Sequence, residues 1–438
     1  MTDFELHLAG NNAPVSDEVT IAPLTVRGEL PSGLTGRYYR NGPNPRTGWS
    51  PHLFAGDGMV HGVAIEGGAA RWYRNRYVRT PLYEHPGEDR TALAFDPATG
   101  TVDQTVTTAN THVVTHAGRL LALEEGGCPY ELTPELDTVG PFTFDGALTG
   151  AMTAHPKTCP RTGELLFFGC SLARPHLRYH RADAAGRIVA SRVVEMRRAT
   201  MMHDFAVTAT SAVFHDSPVV FDRTALATGA PPWRWDDDHG ARFGVIDRSG
   251  AGDAVQWFDI VPCHLSHAMN AYDDGDTIVV TGCRIEEMWR AGTSDMDGDL
   301  PRMHRWVLDR RTGTSTEESL DDVTTDYPRV ADGEVGLPHR YGYSTDFVMD
   351  ALPDHGELYR WDLADGSRTT HRFPVGHTCG EPVFVDGLLL TLAHDRTRGA
   401  SYLAVLDAAD LDADPIAEVD IPVRVPAGFH GSWVPTSP

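Results

Sequence analysis

The sequence predicts an all-β protein, and among all-β assemblies it favours a β-propeller. Short runs of β-branched and aromatic residues recur along the 438 residues, and each is bounded by Gly, Asp, Asn or Pro. Long amphipathic helical patterns are scarce, and only CRIEEMWRAG and TPELDTVG are plausible short helices. A propeller suits a chain with so many short strands because radial repetition leaves only short sheet edges.

The strand candidates follow one another along the chain without a low-complexity linker between them. In order they are GRYYRNG, MVHGVAIEGGAARWYRNRYVR, NTHVVTHAGRLLALEEGG, GELLFFGCSL, DFAVTATSAVFHDSPVVF, DTIVVTGCR and GEPVFVDGLLLTLAHD. Three segments, IEGGAA, HAGRL and VDGLL, place Gly where a tight hairpin turn requires a positive φ. The dipeptide WD occurs at Trp235–Asp236 and Trp361–Asp362, but neither it nor a kelch-type pattern recurs at a fixed period that would mark a repeat. Residues 1–438 are therefore predicted to form a single domain.

The charge and cysteine content limit the partners and the compartment. A net charge of −24 argues against nucleic acid and against a polybasic membrane anchor. No basic segment followed by an apolar run opens the sequence, and no stretch approaches the roughly 18 apolar residues of a membrane-spanning helix. The six cysteines include no CxxC pair, which favours free thiols and a cytoplasmic protein.

Histidine spacing alone does not identify a metal site. The chain has 21 histidines, and most histidines in β-proteins are surface or hydrogen-bonded core residues. The HxxH pair His264 and His267, like the pair His112 and His116, lacks the helix that would place both rings on one face. The acidic run DDDHG at 236–240 fits a solvated turn better than a calcium loop. No GxSxG elbow or Cys/His nucleophile arrangement is present.

The segments around four histidines are more informative than their spacing. They are TAHPKTCPRTGELLFFG around His155, MMHDFAVTATSAVF around His203, CHLSHAMNAYDDGD around His267 and GFHGSWVP around His430. With GRYYRNGPNP at 36–45, FAGDGMVHGV at 54–63 and GEPVFV at 380–385, they resemble the carotenoid cleavage oxygenase family. That family also includes retinoid isomerohydrolases and stilbene-cleaving dioxygenases. The resemblance runs in the family's motif order from about residue 20 to the C-terminus.

The resemblance implies a seven-bladed β-propeller with Fe(II) on its axis and a dome of helices and loops over the substrate cavity. It identifies His155, His203, His267 and His430 as the iron ligands, and His61 of the GDGMVHG motif as a scaffold residue. The intervals of 48, 64 and 163 residues between successive ligands correspond to about one, one and three blades. Imidazole suits ferrous iron, and four histidines leave two coordination positions open.

The resemblance also implies carboxylates that orient the ligand rings through their distal N–H groups. The matching positions are Glu125, expected to pair with His203; Asp326, with His267; and Glu381, with His430. His155 is left without a carboxylate. Asp326 departs from the family pattern, in which glutamate is usual. Because aspartate is one methylene shorter, its bond to His267 is expected to need a backbone shift or a bridging water.

The implied reaction is insertion of dioxygen across an alkene to give two carbonyl products. Stilbene-cleaving members of the family look to require a lysine directly before the glutamate matching Glu125. Glu124 occupies that position here, and the only lysine of the chain, Lys157, belongs to the HPK motif next to His155. The sequence therefore favours a carotenoid or apocarotenoid as the hydrophobic substrate, with a phenylpropanoid or stilbene-like alkene as the alternative.

Three further alternatives remain open at the level of sequence. An iron-dependent isomerase or hydrolase would use the same ligands, and a propeller could serve as a binding scaffold without activity. The third alternative is that the protein contacts a membrane peripherally through an apolar patch. Its candidates are Pro231, Pro232, Trp233 and Trp235, or Met288 and Trp289 on a short amphipathic helix. The competing interpretation is that these aromatic residues pack between blades. No protein partner is implied.

Overall fold

Antiparallel strands make up nearly all of the regular structure in the computed structural model, which confirms the all-β prediction. The structure describes residues 7–228, 232–252, 254–290, 299–349 and 353–436. In the part of the chain that the structure describes, three short α-helices interrupt the strands: α1 (Pro81–Glu84), α2 (Arg90–Ala94) and α3 (Arg223–Thr228). Short 3-10 helices cover Gly10–Asn12, Leu53–Ala55 and Asp332–Glu334. Within these described ranges, no helix has the length and apolarity needed to cross a membrane.

The chain groups into two compact units. Unit 1 comprises Met1–Ala154, Val348–Arg360 and Arg368–Pro438, and unit 2 comprises His155–Phe347 and Trp361–Ser367. A single domain over residues 1–438 stays a prediction.

The first part of unit 1 contributes strands to four antiparallel sheets and includes the helices α1 and α2. Its strands are β1 (Thr20–Ile21), β2 (Val26–Gly28), β3 (Gly36–Pro43), β4 (Gly58–Glu66), β5 (Ala69–Tyr77), β6 (Phe95–Asp96), β7 (Thr101–Val102), β8 (His112–His116), β9 (Arg119–Leu123), β10 (Tyr130–Leu132) and β11 (Thr138–Pro141). Strands β8 to β11 form a four-stranded meander in chain order. The segment TPELDTVG, considered as a helix, is instead the β10–β11 hairpin, in which Thr133 N–H bonds to Asp137 O.

Unit 2 carries successive meanders with buried aromatic and aliphatic cores. Its strands are β12 (Lys157–Thr158), β13 (Leu165–Cys170), β14 (Leu177–Ala182), β15 (Ile188–Val194), β16 (Phe205–Val207), β17 (Ser211–Asp216), β18 (Val219–Phe221), β19 (Trp233–Trp235), β20 (Ala241–Asp247), β21 (Gln256–Ile260), β22 (His264–Asp274), β23 (Thr277–Ile285), β24 (Arg302–Asp309), β25 (Thr314–Arg329) and β26 (Tyr341–Asp346). Sheets β12–β13–β14–β15 and β16–β17–β20–β21 are four-stranded, and β22 to β26 follow one another in a third sheet.

The remaining strands lie in the C-terminal part of the chain. They are β27 (Val348–Met349), β28 (Pro353–Asp354), β29 (Glu357–Asp362), β30 (Ser367–Arg372), β31 (His377–Thr378), β32 (Val383–Val385), β33 (Leu388–Asp395), β34 (Ala400–Asp407), β35 (Ala417–Ile421) and β36 (Gly431–Pro435). Strand β36 pairs with β3 from Gly36–Pro435 to Arg40–Gly431, and β2 pairs with β35. These long-range pairings join N-terminal and C-terminal segments within unit 1, and β36 begins directly after His430.

The three predicted hairpin turns are confirmed. Gly67 and Gly68 connect β4 to β5, Ala117 and Gly118 connect β8 to β9, and Asp386 and Gly387 connect β32 to β33; all six residues have φ between 47° and 85°. Positive φ at both central residues is the signature of the tight turn whose twist matches the flanking strands. Local turn chemistry therefore sets the register of these strands.

Candidate metal centre

Three of the four predicted ligands converge within unit 2. His155 lies just before β12, His203 lies just before β16, and His267 lies within β22. Nε2 of His203 lies 3.0 Å from Nε2 of His155 and 3.2 Å from Nε2 of His267. The rings of His155 and His267 are edge-on, with centroids 5.0 Å apart. Thus the same nitrogen of each ring points to a common position.

The distances among these nitrogens fit a bound cation. A proton on Nε2 of His203 can bridge to only one of the two neighbouring nitrogens, so the remaining lone pairs would face each other. A divalent metal with metal–nitrogen distances of about 2.1 Å places adjacent ligand nitrogens about 3 Å apart. Imidazole is a ligand for zinc, copper, iron and nickel. The donor set therefore suits a first-row transition metal.

A distortion in β22 accompanies the orientation of His267. The pairing of β22 with β23 shifts register between Leu265 and Ala268 and again between Ala268 and Asn270. Such a bulge redirects a side chain and releases backbone groups from the ladder. On the partner strand, Gly282 passes so close that an added Cβ would lie 2.7 Å from the carbonyl oxygen of His267. The bulge and the close strand approach together require glycine at position 282.

Asp326 contacts the distal nitrogen of His267 directly. Its Oδ1 lies 2.8 Å from His267 Nδ1 and also accepts a hydrogen bond of 2.9 Å from Ser266 Oγ. The Tyr327 ring stacks on the imidazole at a centroid distance of 5.3 Å. Burial raises the pKa of Asp326, but the opposing effects of His267 and Ser266 are larger and hold that pKa below its ordinary value. An ionised Asp326 fixes the proton on Nδ1 and leaves Nε2 available to a metal.

His430 has an equivalent partner within unit 1. Its Nδ1 lies 3.0 Å from Oε1 of Glu381, whose Oε2 accepts a hydrogen bond of 2.8 Å from the Gly431 N–H. Both side chains are at most 4% exposed. One carboxylate therefore holds the ring and the backbone next to it, at the start of β36.

His430 belongs to unit 1, and its place in one metal site with His155, His203 and His267 of unit 2 stays a prediction. The pairing of Glu125 with His203 stays a prediction.

Other histidines of unit 1 and unit 2 have local partners. His61 Nδ1 lies 2.9 Å from the Tyr73 hydroxyl, as expected for a scaffold residue. His264 Nδ1 lies 3.0 Å from Ser217 Oγ. His112 Nδ1 lies 2.9 Å from the Ala154 carbonyl oxygen.

The candidates for an apolar patch are mostly buried. Trp235, Met288 and Trp289 are each at most 9% exposed and pack in one cluster with Val219 and Ile285. Trp233 packs against the same cluster, and Pro231 lies outside the described residues. CRIEEMWRAG is not helical in its described part, because β23 continues through Ile285 and irregular chain follows. The packing interpretation is therefore favoured for these side chains.

Glu124 takes part in a local ion pair. It binds Arg90 with an Nη2–Oε2 distance of 2.8 Å, and its Oε2 also accepts a hydrogen bond of 2.7 Å from Thr107 Oγ1. Its Oε1 accepts from the Gly126 N–H at 2.9 Å. The position that carries lysine in the stilbene-cleaving pattern is thus occupied here by an anion engaged with its own neighbours.

The sequence reasoning missed several side chains near the histidines. Ser266 donates a hydrogen bond to Asp326, and the Tyr327 ring stacks on His267. The buried Asp204 directly follows His203 in the sequence. The signal available for Asp204 was an acidic residue inside the hydrophobic segment MMHDFAV. Without the spatial arrangement, no partner could be assigned to it.

Comparison with known proteins places the chain among oxygenases. The profile of the retinal pigment epithelial membrane protein family matches residues 12–435. A carotenoid cleavage oxygenase of Mycobacterium tuberculosis is 37% identical over 98% of both chains. Carotenoid 9,10(9',10')-cleavage dioxygenase 1 of Pisum sativum is 31% identical, over 98% of this chain and 89% of the relative.

Among solved structures, the lignostilbene dioxygenase of Pseudomonas brassicacearum superposes with a TM-score of 0.89 at 28% identity, over 98% of both chains. This likeness agrees with the predicted all-β propeller fold. The family match from residue 12 to residue 435 and the relatives above 30% identity show that this protein belongs to the retinal pigment epithelial membrane protein family, the family of the carotenoid cleavage oxygenases.

Proposed function

We propose that this protein is an Fe(II)-dependent dioxygenase that cleaves a carbon–carbon double bond of a carotenoid or apocarotenoid to give two carbonyl products. In this proposal His155, His203, His267 and His430 bind the iron. Asp326, Glu381 and Glu125 orient the rings of His267, His430 and His203. The observation that carries the proposal is the convergence of imidazole Nε2 atoms at 3.0 and 3.2 Å in a chain of this family.

The carboxylates next to the predicted ligands orient the imidazole rings for binding a redox-active cation. Iron bound there would supply the activation of dioxygen that alkene cleavage needs. Asp326 and Glu381 contact the Nδ1 atoms of His267 and His430, which orients both rings and leaves Nε2 of each available to a metal. Neutral ligands leave the charge of the cation intact. Imidazole alone does not select iron over zinc or copper, and iron is proposed because of the family.

Two features support a carotenoid or apocarotenoid substrate. The relative from Mycobacterium tuberculosis carries carotenoid cleavage in its name. In addition, Glu124 replaces the lysine of the stilbene-cleaving pattern and is bound by Arg90 and Thr107. The likeness to a lignostilbene dioxygenase supports the alternative, cleavage of a stilbene-like or phenylpropanoid alkene. A cytoplasmic location and the possibility of membrane contact stay predictions.

The discriminating experiment is aerobic turnover by iron-reconstituted protein. The substrates are a carotenoid, a β-apo-carotenal, a hydroxystilbene and a vinylphenol, and product masses are recorded. We expect two carbonyl fragments from the carotenoid or apocarotenoid. Turnover confined to the phenolic alkenes would replace this substrate assignment by the alternative.

Labelled dioxygen and metal analysis separate the remaining functions. Incorporation of the label into the carbonyl products is expected of a dioxygenase, whereas an isomerase or hydrolase would incorporate none. A folded protein that binds no iron and turns over no alkene would support the binding-scaffold alternative. Stoichiometric iron with labelled products would exclude that alternative.

A further inference from the structure

Asp204 is a buried carboxylate whose two oxygens bind three different chain segments. The residue is 2% exposed. Its Oδ1 accepts hydrogen bonds from Lys157 Nζ at 2.8 Å and from the Phe205 N–H at 2.7 Å. Its Oδ2 accepts from the Ala268 N–H at 2.8 Å. The carboxylate therefore links β12, β16 and β22, which belong to three different sheets.

Each linked segment carries one of the converging histidines. Lys157 lies two residues after His155, Asp204 itself follows His203, and Ala268 follows His267. Since the three strands share no ladder hydrogen bonds, their backbone pairing alone does not fix the histidines relative to one another. Asp204 supplies that connection through its bonds to Lys157 and Ala268, and its bond to the Phe205 N–H holds the carboxylate within its own segment.

The bulge in β22 explains why the Ala268 N–H is bound by a side chain. The register shifts on both sides of Ala268 in the β22–β23 pairing. A bulge disrupts the ladder locally. The hydrogen bond to Asp204 Oδ2 then satisfies this N–H and holds the bulge that aims His267.

The charge of Asp204 is balanced by the only lysine of the chain. The Lys157 side chain is 19% exposed and the Asp204 side chain 2% exposed. A buried carboxylate is tolerated when it is paired and its remaining lone pairs are hydrogen-bonded, and both conditions hold here. Removing either partner would leave a buried charge without compensation.

We propose that Asp204, together with Lys157, is a positioning residue that sets the mutual geometry of His155, His203 and His267. This inference rests on the proposed function, because it concerns the same metal centre. Asp326 and Glu381 act on individual rings, whereas Asp204 acts on the chain segments that carry the rings. Loss of this link lets the three Nε2 atoms separate, which weakens metal binding and changes the coordination geometry.

The test compares Asp204→Asn with the matched control Asp216→Asn in the full-length protein. Asp216 is also buried, at 0% exposure, and binds Arg242, His239 and Thr200 in the same unit. None of these three partners is directly next to a predicted ligand in the sequence. Equilibrium binding of Fe(II) is measured, and Co(II) is used as a spectroscopic probe of coordination. Thermal unfolding of the metal-free proteins measures the structural cost of each substitution.

We expect Asp204→Asn to weaken Fe(II) binding about 10–100-fold, as other changes behind metal ligands do, and to alter the Co(II) absorption bands. Asp216→Asn is expected to lower the melting temperature while the Fe(II) affinity and the Co(II) spectrum stay those of the wild type. If Asp204→Asn retains wild-type affinity and spectrum, or if Asp216→Asn changes both equally, the inference is overturned.

Lys157 variants carry the test if Asp204→Asn gives no folded protein. Lys157→Met should weaken Fe(II) binding and change the Co(II) spectrum, and Lys157→Arg, which keeps the charge, should restore part of both. Equal behaviour of the two variants would overturn the inference. A wild-type protein that binds neither metal ion would overturn the proposed function and the inference with it. Metal binding by the wild type with no effect of these substitutions would overturn the inference alone.

Discussion

Asp326 Oδ1 lies 2.8 Å from Nδ1 of His267, although aspartate is shorter than the glutamate of the family pattern. The backbone around Asp326 accounts for this contact. The pairing of β25 with β26 shifts register between Asp326 and Arg329, and Tyr327 adopts a φ of 53°. The contact is direct, without a bridging water. The register shift and the positive φ of Tyr327 are the backbone irregularity that accompanies it. Ser266 adds a second hydrogen bond that holds the short carboxylate in place.

A substitution at Asp326 that preserves the shape of the side chain should lower metal affinity more than it lowers stability. Asp326→Asn is expected to weaken Fe(II) binding about 10–100-fold, because the neutral amide no longer fixes the Nδ1 proton. Asp326→Glu adds a methylene to a site that is 5% exposed, and overpacking of this kind costs about 1–3 kcal/mol in unfolding free energy. Metal titration and thermal unfolding of both variants check these effects. A glutamate variant that is more stable and binds iron more tightly would contradict the adaptation of this site to aspartate.

His203 is central among the three predicted ligands in unit 2. Its Nε2 is the atom that lies near the Nε2 atoms of both His155 and His267. His203→Ala should therefore abolish stoichiometric iron binding and alkene cleavage. His61→Gln is the matched control, since His61 is a buried histidine with Tyr73 as its partner. Metal analysis of purified protein measures the outcome, and an iron content unchanged by His203→Ala would exclude this ligand assignment.

Substitution of Gly282 tests whether the bulge at His267 is needed for metal binding. In Gly282→Ala the new Cβ would lie 2.7 Å from the His267 carbonyl oxygen and 2.7 Å from Leu265 Cδ1. The backbone must move, so the unfolding free energy should fall by about 1–3 kcal/mol. Iron binding should weaken in parallel because His267 is displaced. Gly333→Ala provides the control, since no neighbouring atom lies within 4 Å of an added Cβ there. Equal stability and iron affinity of the two variants would contradict the role of the bulge.

Local signals in the sequence predicted the hairpins and the identity of the ligand candidates. The turns at Gly67–Gly68 and Asp386–Gly387 follow from residues that tolerate positive φ, and such chemistry is readable within a few positions. The histidines were found through their surrounding motifs, because their intervals of 48 and 64 residues carry no local pattern.

Tertiary packing decided what the sequence could not. The segment around Met288 has helical spacing, yet Met288 and Trp289 pack with Trp235 and Val219 in irregular chain. Burial of these large side chains outweighs a weak helical preference. The role of Asp204 depends on three strands from three sheets meeting at one carboxylate. No spacing along the chain encodes such a convergence.

Buried neutral histidines outside the metal centre should make the protein sensitive to acid. Burial lowers the pKa of His180 and of His215 from 6.5 to about 4. The charge of Arg178 lowers the pKa of His180 further, whereas the charge of Asp216 opposes the lowering at His215. In the unfolded chain both histidines take up protons below about pH 6.5, whereas in the folded protein they stay neutral until about pH 4. The unfolded state therefore binds more protons in this window, so stability falls as the pH falls from 6.5 to 4.

The size of the effect can be measured by urea unfolding of metal-free protein, which removes the contribution of metal release. Between pH 7.5 and 5.5, each histidine should lower the unfolding free energy by about 1.4 kcal/mol. His180→Gln should reduce this pH dependence, because glutamine takes up no proton and can still bond to Ser191 Oγ, the partner of His180 Nδ1 at 2.8 Å. His85→Gln is the control, because it makes the same substitution at a histidine whose side chain is 55% exposed. An unfolding free energy that is the same at both pH values, or a His180→Gln protein with the full wild-type dependence, would show that these buried rings are not the source of acid sensitivity.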